Sequence, residues 1–379
     1  MSAMRAGAWL VALILLEGQG GGGAVGQSVS PAASSAASSV LRRIPDAEAI
    51  LGPLVESYGV SGMEAPVRDA VLRFLPAWAR PETDSAGNLW VRVGEGEPAV
   101  VFIAHLDEIG FRITAIGEDG VADLEQEGGF YTSLFEGRPA LVHTGSRSVP
   151  GVFLPRAPSA ESRHTPPPLR LDLGVGSRGA VDALGVRVGS TVTMPKSYQR
   201  LAGTRATGRS FDDRVGCTAL LLALGRLDPH RVHHQVIFVF SVREEIGLEG
   251  AEVVAEALGL SIARVHAIDT FVSSDSPLEL KNFAYAPLGQ GPVARALDNS
   301  AITPPALVDT LRLIARPRFI PLQVGATNGG NDGSVFAPWG VPDVALGWPL
   351  RYSHSPAEVI DLRDVVSLGD LVQAVAEGW

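Results

Sequence analysis

Five stretches place carboxylates or histidine where an apolar run stops or a helix starts: His105-Leu106-Asp107-Glu108, Asp212-Asp213, Glu244-Glu245, Asp269 and His354. Crowded without a counter-ion, so many carboxylates would repel, and some would be forced to bind protons. A divalent cation removes the difficulty. Two histidines and three carboxylates suit two zinc-like ions that share one carboxylate. Two such ions, about 3.5 Å apart, can hold a hydroxide and polarise a carbonyl together. A further carboxylate outside the ligand set then serves as general base, and the neighbours Glu244 and Glu245 can divide those tasks. Each stretch alone has a plainer reading. His-x-Asp ends many strands, paired aspartates before a helix cap it, and paired glutamates commonly face water. Their joint occurrence at successive strand ends favours the metal reading.

Such residues need a scaffold that brings them together. The runs "AVVFIAHLD", "QVIFVFSV", "RVHAID", "FIPLQV" and "DVALGW" read as buried strands, the first apolar on both faces as parallel sheets require. Between them, "GCTALLLALGRL", "GAEVVAEAL" and "PPALVDTLRLIA" have helical spacing. The pattern predicts an α/β fold with a mainly parallel sheet and helices on both faces. Ligands in such sheets gather outside the carboxyl ends of the strands, where the five stretches lie. Residues 110–203 differ, with short strands separated by Gly and Pro, and read as a small all-β domain inserted between catalytic parts at 40–109 and 204–379.

The totals narrow the function. The 379 residues carry a net charge of −10 with no compensating basic cluster, which argues against a nucleic-acid partner. The single Cys217 excludes an intrachain disulfide and reads as a small buried hydrophobe. Arg5 followed by apolar residues 8–16, too short to span a bilayer, predicts a signal peptide over 1–26 and a flexible Gly/Ser/Ala spacer over 27–39. If that signal is real the protein is exported, periplasmic or extracellular, with no membrane partner after cleavage; otherwise it is cytoplasmic. His143 and His266 fall within strands and read as structural, His164 as a loop residue, and His230, His233 and His234 as solvated.

The stretches "SGMEAPVR", "DSAGNLW", "AHLDEIGF", "VPGV", "LDLGVGSR", "SFDDRVGC", "SVREEIGLEGA", "AIDT" and "RYSHSPAEVIDLRD" run from about 59 to 364. On these motifs the chain resembles the M42 metallo-aminopeptidases, the group of tetrahedral and glutamyl aminopeptidases. The resemblance implies His105 and Asp269 on one metal, Glu245 and His354 on the other, and Asp212 bridging both. It implies Glu244 as general base, Asp107 as the carboxylate orienting His105, and a cis peptide between Asp212 and Asp213. The reaction it implies is removal of N-terminal residues from short peptides. Water held between the ions gives a proton to Glu244 and attacks the carbonyl, and the proton passes to the leaving amine. Zinc is the expected metal, with cobalt or manganese as alternatives. The inserted domain implies a homo-oligomer, from a dimer up to a dodecamer. Asn331 replaces the threonine of the family's Gly-Gly-Thr-Asp, while Asp332 is kept. Two other readings stay open: a related deacylase or carboxypeptidase, and a metal-free binding protein.

Overall fold

The computed structural model describes residues 31–145, 147–156, 167–273, 275 and 284–379. Helices α1 (Pro31–Glu56) and α2 (Ala65–Phe74) precede strands β1 (Pro81–Thr83), β2 (Leu89–Val93) and β3 (Ala99–His105). Short strands follow: β4 (Gly110–Ile116), β5 (Ala122–Glu127), β6 (Pro139–His143), β7 (Ser148–Phe153), β8 (Arg170–Asp172) and β9 (Thr191–Thr193), with α3 (Arg178–Ala183) before the last. Strands β10 (Gln199–Arg200) and β11 (Arg205–Gly208) lead into α4 (Phe211–Arg226), β12 (Val236–Ser241), α5 (Glu249–Leu258) and β13 (Ile262–Val272). The chain closes with β14 (Val293–Leu297), α6 (Pro305–Ala315), β15 (Gln323–Ala326), β16 (Leu346–Leu350), β17 (Glu358–Asp361) and α7 (Leu362–Gly378).

Eight strands form one sheet in the order β1-β2-β12-β3-β13-β16-β14-β15. Strand β3 is buried along its whole length. Val100, Phe102 and Ala104 point to one core, shared with α1, α4 and α7, while Val101 and Ile103 point to another, shared with α5. That double burial is why its sequence is continuously apolar. Strands β12, β3, β13 and β16 are parallel. At the margins of the sheet β1–β2, β2–β12 and β14–β16 pair antiparallel, while β14–β15 is again parallel. A tight turn makes the first of these a hairpin. Asp84 Oδ1 accepts the amide hydrogens of Ala86, Gly87 and Asn88, folding the chain straight back.

Strands β4 to β9 close into a barrel in the order β4-β5-β8-β7-β6-β9. Closure removes free sheet edges. The barrel has its own core, in which Phe111 meets Phe130 and Phe135 edge to face at 5.1 and 5.3 Å. Two expectations are corrected. The stretch read as a flexible spacer up to residue 39 is helical from Pro31, because its alanines favour helix and proline suits the first turn. The "FIPLQV" strand starts only at Gln323; Arg316–Arg318 form a 3₁₀ turn and Phe319 is left-handed. The predicted signal peptide and His164 lie outside the described residues.

Register places the site. Ser241 of β12 pairs with His105, and Ala267 of β13 pairs with Ile103, so Asp269, two residues on, is level with His105. Strand β13 continues three residues past Asp269, farther than its apolar run predicts.

Candidate metal centre

Asp212 is the geometric centre. Its Oδ1 lies 3.2 Å from His105 Nε2 and its Oδ2 lies 3.2 Å from His354 Nε2. Glu245 Oε1 lies 3.3 Å from the same His354 nitrogen. Donor atoms of His105, Asp212 and Glu245 all fall within 4.8 Å of one another. Four residues far apart in sequence therefore meet, and one carboxylate faces both imidazoles.

Asp212 reaches this position because the chain is unwound before α4. Ser210 is left-handed (φ 70°), Asp212 and Asp213 are non-helical, and their shared peptide is cis. The two aspartates then separate in function. Asp213 Oδ1 accepts from Gly216 N–H at 2.9 Å, capping the regular helix, and its Oδ2 accepts from His105 N–H at 3.0 Å. The helix-cap reading of the pair thus holds for Asp213 and not for Asp212.

Asp107 lies at the base of the site with no solvent exposure. Its Oδ1 is 3.4 Å from His105 Nδ1. It accepts hydrogen bonds from Ser61 Oγ (2.6 Å), Glu244 N (3.0 Å) and Glu245 N (3.2 Å). One carboxylate thus fixes the histidine face and the backbone of both glutamates. Burial pushes Glu244 well above the ordinary carboxyl range despite the opposing His105 charge, with Asp269, Asp332 and Glu245 adding to it. A carboxyl so placed is suited to take up and release a proton.

Asp269 joins less tightly. Its Oδ2 lies 3.2 Å from Arg295 Nη1, and it falls outside the closest group of donors. Burial, opposed by the Arg295 charge, raises it to about 6, and Asp212 contributes. Arg295 also pairs with Asp298 at 3.0 Å and donates to the Gly330 carbonyl at 2.9 Å. Asn331 Nδ2 donates to Asp298 at 2.8 Å, so the residue replacing threonine braces this network. Asp332 accepts from Ser241 Oγ at 2.5 Å, its other oxygen is buried without a hydrogen-bond partner, and burial raises it to about 7.

Several supporting partnerships gave no signal in the sequence. Glu108 is buried against Lys196 (2.8 Å), Arg209 (2.7 Å) and Arg214 (3.8 Å). Gly129, in the barrel, presents its carbonyl to His354 Nδ1 at 2.6 Å. That nitrogen must donate, so in the neutral imidazole the Nε2 lone pair is the one turned toward Asp212 and Glu245, where a cation would be held. Among the histidines expected to be structural, His266 is buried, accepts at Nε2 from Arg264 Nε and donates from Nδ1 to the Val344 carbonyl, and His143 lies between Ser148 and Thr193. Cys217 is buried and its thiol meets the His105 carbonyl.

The donors fit divalent metal. Imidazole nitrogens and carboxylate oxygens are the zinc-type set. Buried Glu245 Oε1 has no hydrogen-bond donor, which a cation would satisfy. Comparisons with known proteins agree. The chain is 29% identical to the lysyl aminopeptidase of Pyrococcus furiosus over 341 residues, covering 86% of this chain and 96% of that protein. Its fold matches the aminopeptidase APDkam598 of Desulfurococcus kamchatkensis with a TM-score of 0.81 at 30% identity, covering 89% and 96% of the two chains. It also matches the TET1 peptidase of Pyrococcus horikoshii, which can assemble into a tetrahedron or a large octahedral shell, with a TM-score of 0.77 at 33% identity, covering 89% and 99%. A sequence profile described as M42 glutamyl aminopeptidase spans residues 87–371, and the chain belongs to this family of peptide hydrolases.

Proposed function

We propose that the chain is a two-metal aminopeptidase that removes N-terminal residues from short peptides. The observation that carries this reading is the Asp212 carboxylate, with each oxygen 3.2 Å from a different histidine Nε2. In this reading Asp212 is shared between two sites, His105 and Asp269 complete one, and Glu245 and His354 complete the other. Divalent ions, zinc in the first instance and otherwise cobalt or manganese, supply Lewis-acid polarisation of the amide carbonyl and acidify water when bound.

The protein's own groups do the rest. Glu244 takes a proton from the attacking water and delivers it to the leaving amine nitrogen. Asp107 holds the Glu244 and Glu245 backbone, and Gly129 keeps the His354 proton on Nδ1. The barrel exposes Tyr131, Leu134, Val152 and Val188, apolar side chains that support its use in self-association into a homo-oligomer. The catalytic parts at 40–109 and 204–379 with an insert at 110–203 belong to the same proposal. So does export, which N-terminal sequencing of the mature protein tests; an intact Met1 refutes it.

Glu244→Gln tests the mechanism. The variant should keep its metal content and lose turnover by about 10²–10⁴-fold. Retained turnover removes Glu244 from the role of base. Free peptide amides should be cleaved and N-acetylated ones left intact; the opposite preference identifies a deacylase.

A further inference from the structure

Glu358 lies at the first position of β17, within the same "RYSHSPAEVIDLRD" stretch as His354, and the sequence assigns it no role of its own. It is buried, and both its oxygens are occupied. Oε2 accepts from Phe211 N–H at 2.7 Å, and Oε1 accepts from His354 N–H at 3.0 Å. Phe211 immediately precedes Asp212. One carboxylate therefore grips the main chain beside the shared ligand and the main chain of a histidine ligand.

Both gripped segments are conformationally unfavourable on their own. Ser210 has φ 70°, Tyr352 has φ 62° and His354 has φ 57°, all left-handed for residues with a Cβ. Such conformations persist only where surrounding contacts over-determine them. The grip is itself anchored: Glu358 pairs with Gly208 across β11–β17, and Thr207 Oγ1 donates to the Glu358 carbonyl at 2.8 Å. It is thus a fixed point from which two left-handed turns are held in register.

We propose that Glu358 is a positioning residue that fixes the distance between Asp212 and His354 and thereby sets the affinity of the second metal site. This rests on the two-metal reading above. A glutamine can accept one of the two amide hydrogens, but its NH₂ end cannot accept the other. An aspartate keeps the charge, but one methylene fewer prevents it from spanning both groups.

The test is Co²⁺ titration of the metal-stripped full chain, read by the visible absorption of the bound ion and by competition with a chelator. Wild type should bind two equivalents. Glu358→Gln should bind the first nearly unchanged and the second about 10–100-fold more weakly, with an altered visible spectrum for the second equivalent. Should that variant fold poorly, Glu358→Asp is expected to give the same selective loss. Two equivalents bound with wild-type affinity and spectrum by a folded variant overturn the positioning role. Equal weakening of both equivalents also overturns it, as that marks general destabilisation. Fewer than two equivalents on wild type instead sinks the two-metal reading, so the two failures are distinct.

Discussion

At the scale of single residues, a cluster of buried charges gathers around Glu108, three residues after His105. Glu108 faces three cations, Lys196, Arg209 and Arg214, and also accepts from Gly59 N–H and Ser210 Oγ. Burial alone would raise its carboxyl; the three positive charges outweigh burial and hold it well below the usual range. Lys196 is moved well below its ordinary value, by burial first and then by the neighbouring arginines against the pull of Glu108. With one anion among three cations, the carboxylate is the compensated member and the lysine the strained one. Glu108→Gln leaves the cations without a counter-ion, a loss of about 3–5 kcal/mol. The sign with pH follows from the depressed pKa. Wild type keeps this stabilisation above about pH 4.3, the unfolded glutamate value, and loses it as pH falls through the folded value. The gap in urea midpoint between wild type and variant should therefore be full at pH 7 and narrow progressively as pH falls below about 4. A gap that stays constant down to pH 3 contradicts this account.

At the scale of elements, burial patterns were legible in the sequence and long-range polar partners were not. A strand covered on both faces must be apolar throughout, so β3 and its terminal His105 could be read directly. The partners of Glu108 arrive from the exit of the barrel and from the start of α4, at separations of 88 to 106 residues along the chain by their numbering, and no periodicity records that. The same holds for Gly128 and Gly129, whose distant neighbours no local pattern records. Yet a Cβ on Gly128 (φ 94°) would meet Ile109 Cγ2 at 2.7 Å and Glu245 Oε2 at 3.2 Å. Gly128→Ala should therefore displace the loop that holds His354 and lower kcat/KM by about tenfold or more. Gly137 supplies the control: it has φ 68° but no atom near an added Cβ. Gly137→Ala should lose stability through backbone strain, roughly 1–3 kcal/mol, and keep its activity. Equal activity loss in both variants removes the special role of the 128–129 loop.

At the scale of the whole molecule, the proposed ligands come from five separate segments of the chain. His105 ends β3, Asp212 opens α4, Glu245 follows β12, Asp269 belongs to β13 and His354 lies between β16 and β17. An ion bound there would cross-link the centre of the sheet to the helix layer and to the loop between β16 and β17, while offsetting the mutual repulsion of buried carboxylates. The unfolded chain has no such preformed site, so metal binding is linked to folding. At 100 times the dissociation constant the linkage contributes about 2.7 kcal/mol. Distributed over the unfolding entropy of a chain this long, that corresponds to a shift in Tm of about 4 °C. Chelation should thus lower Tm by a few degrees, readdition of Zn²⁺ should restore it, and Ca²⁺, which prefers oxygen ligands, should not. Glu244→Gln should respond as wild type does, because Glu244 is outside the ligand set, whereas His354→Ala should respond less. A chelation shift in the His354 variant equal to that of wild type would show that the stabilising ion is held elsewhere in the protein.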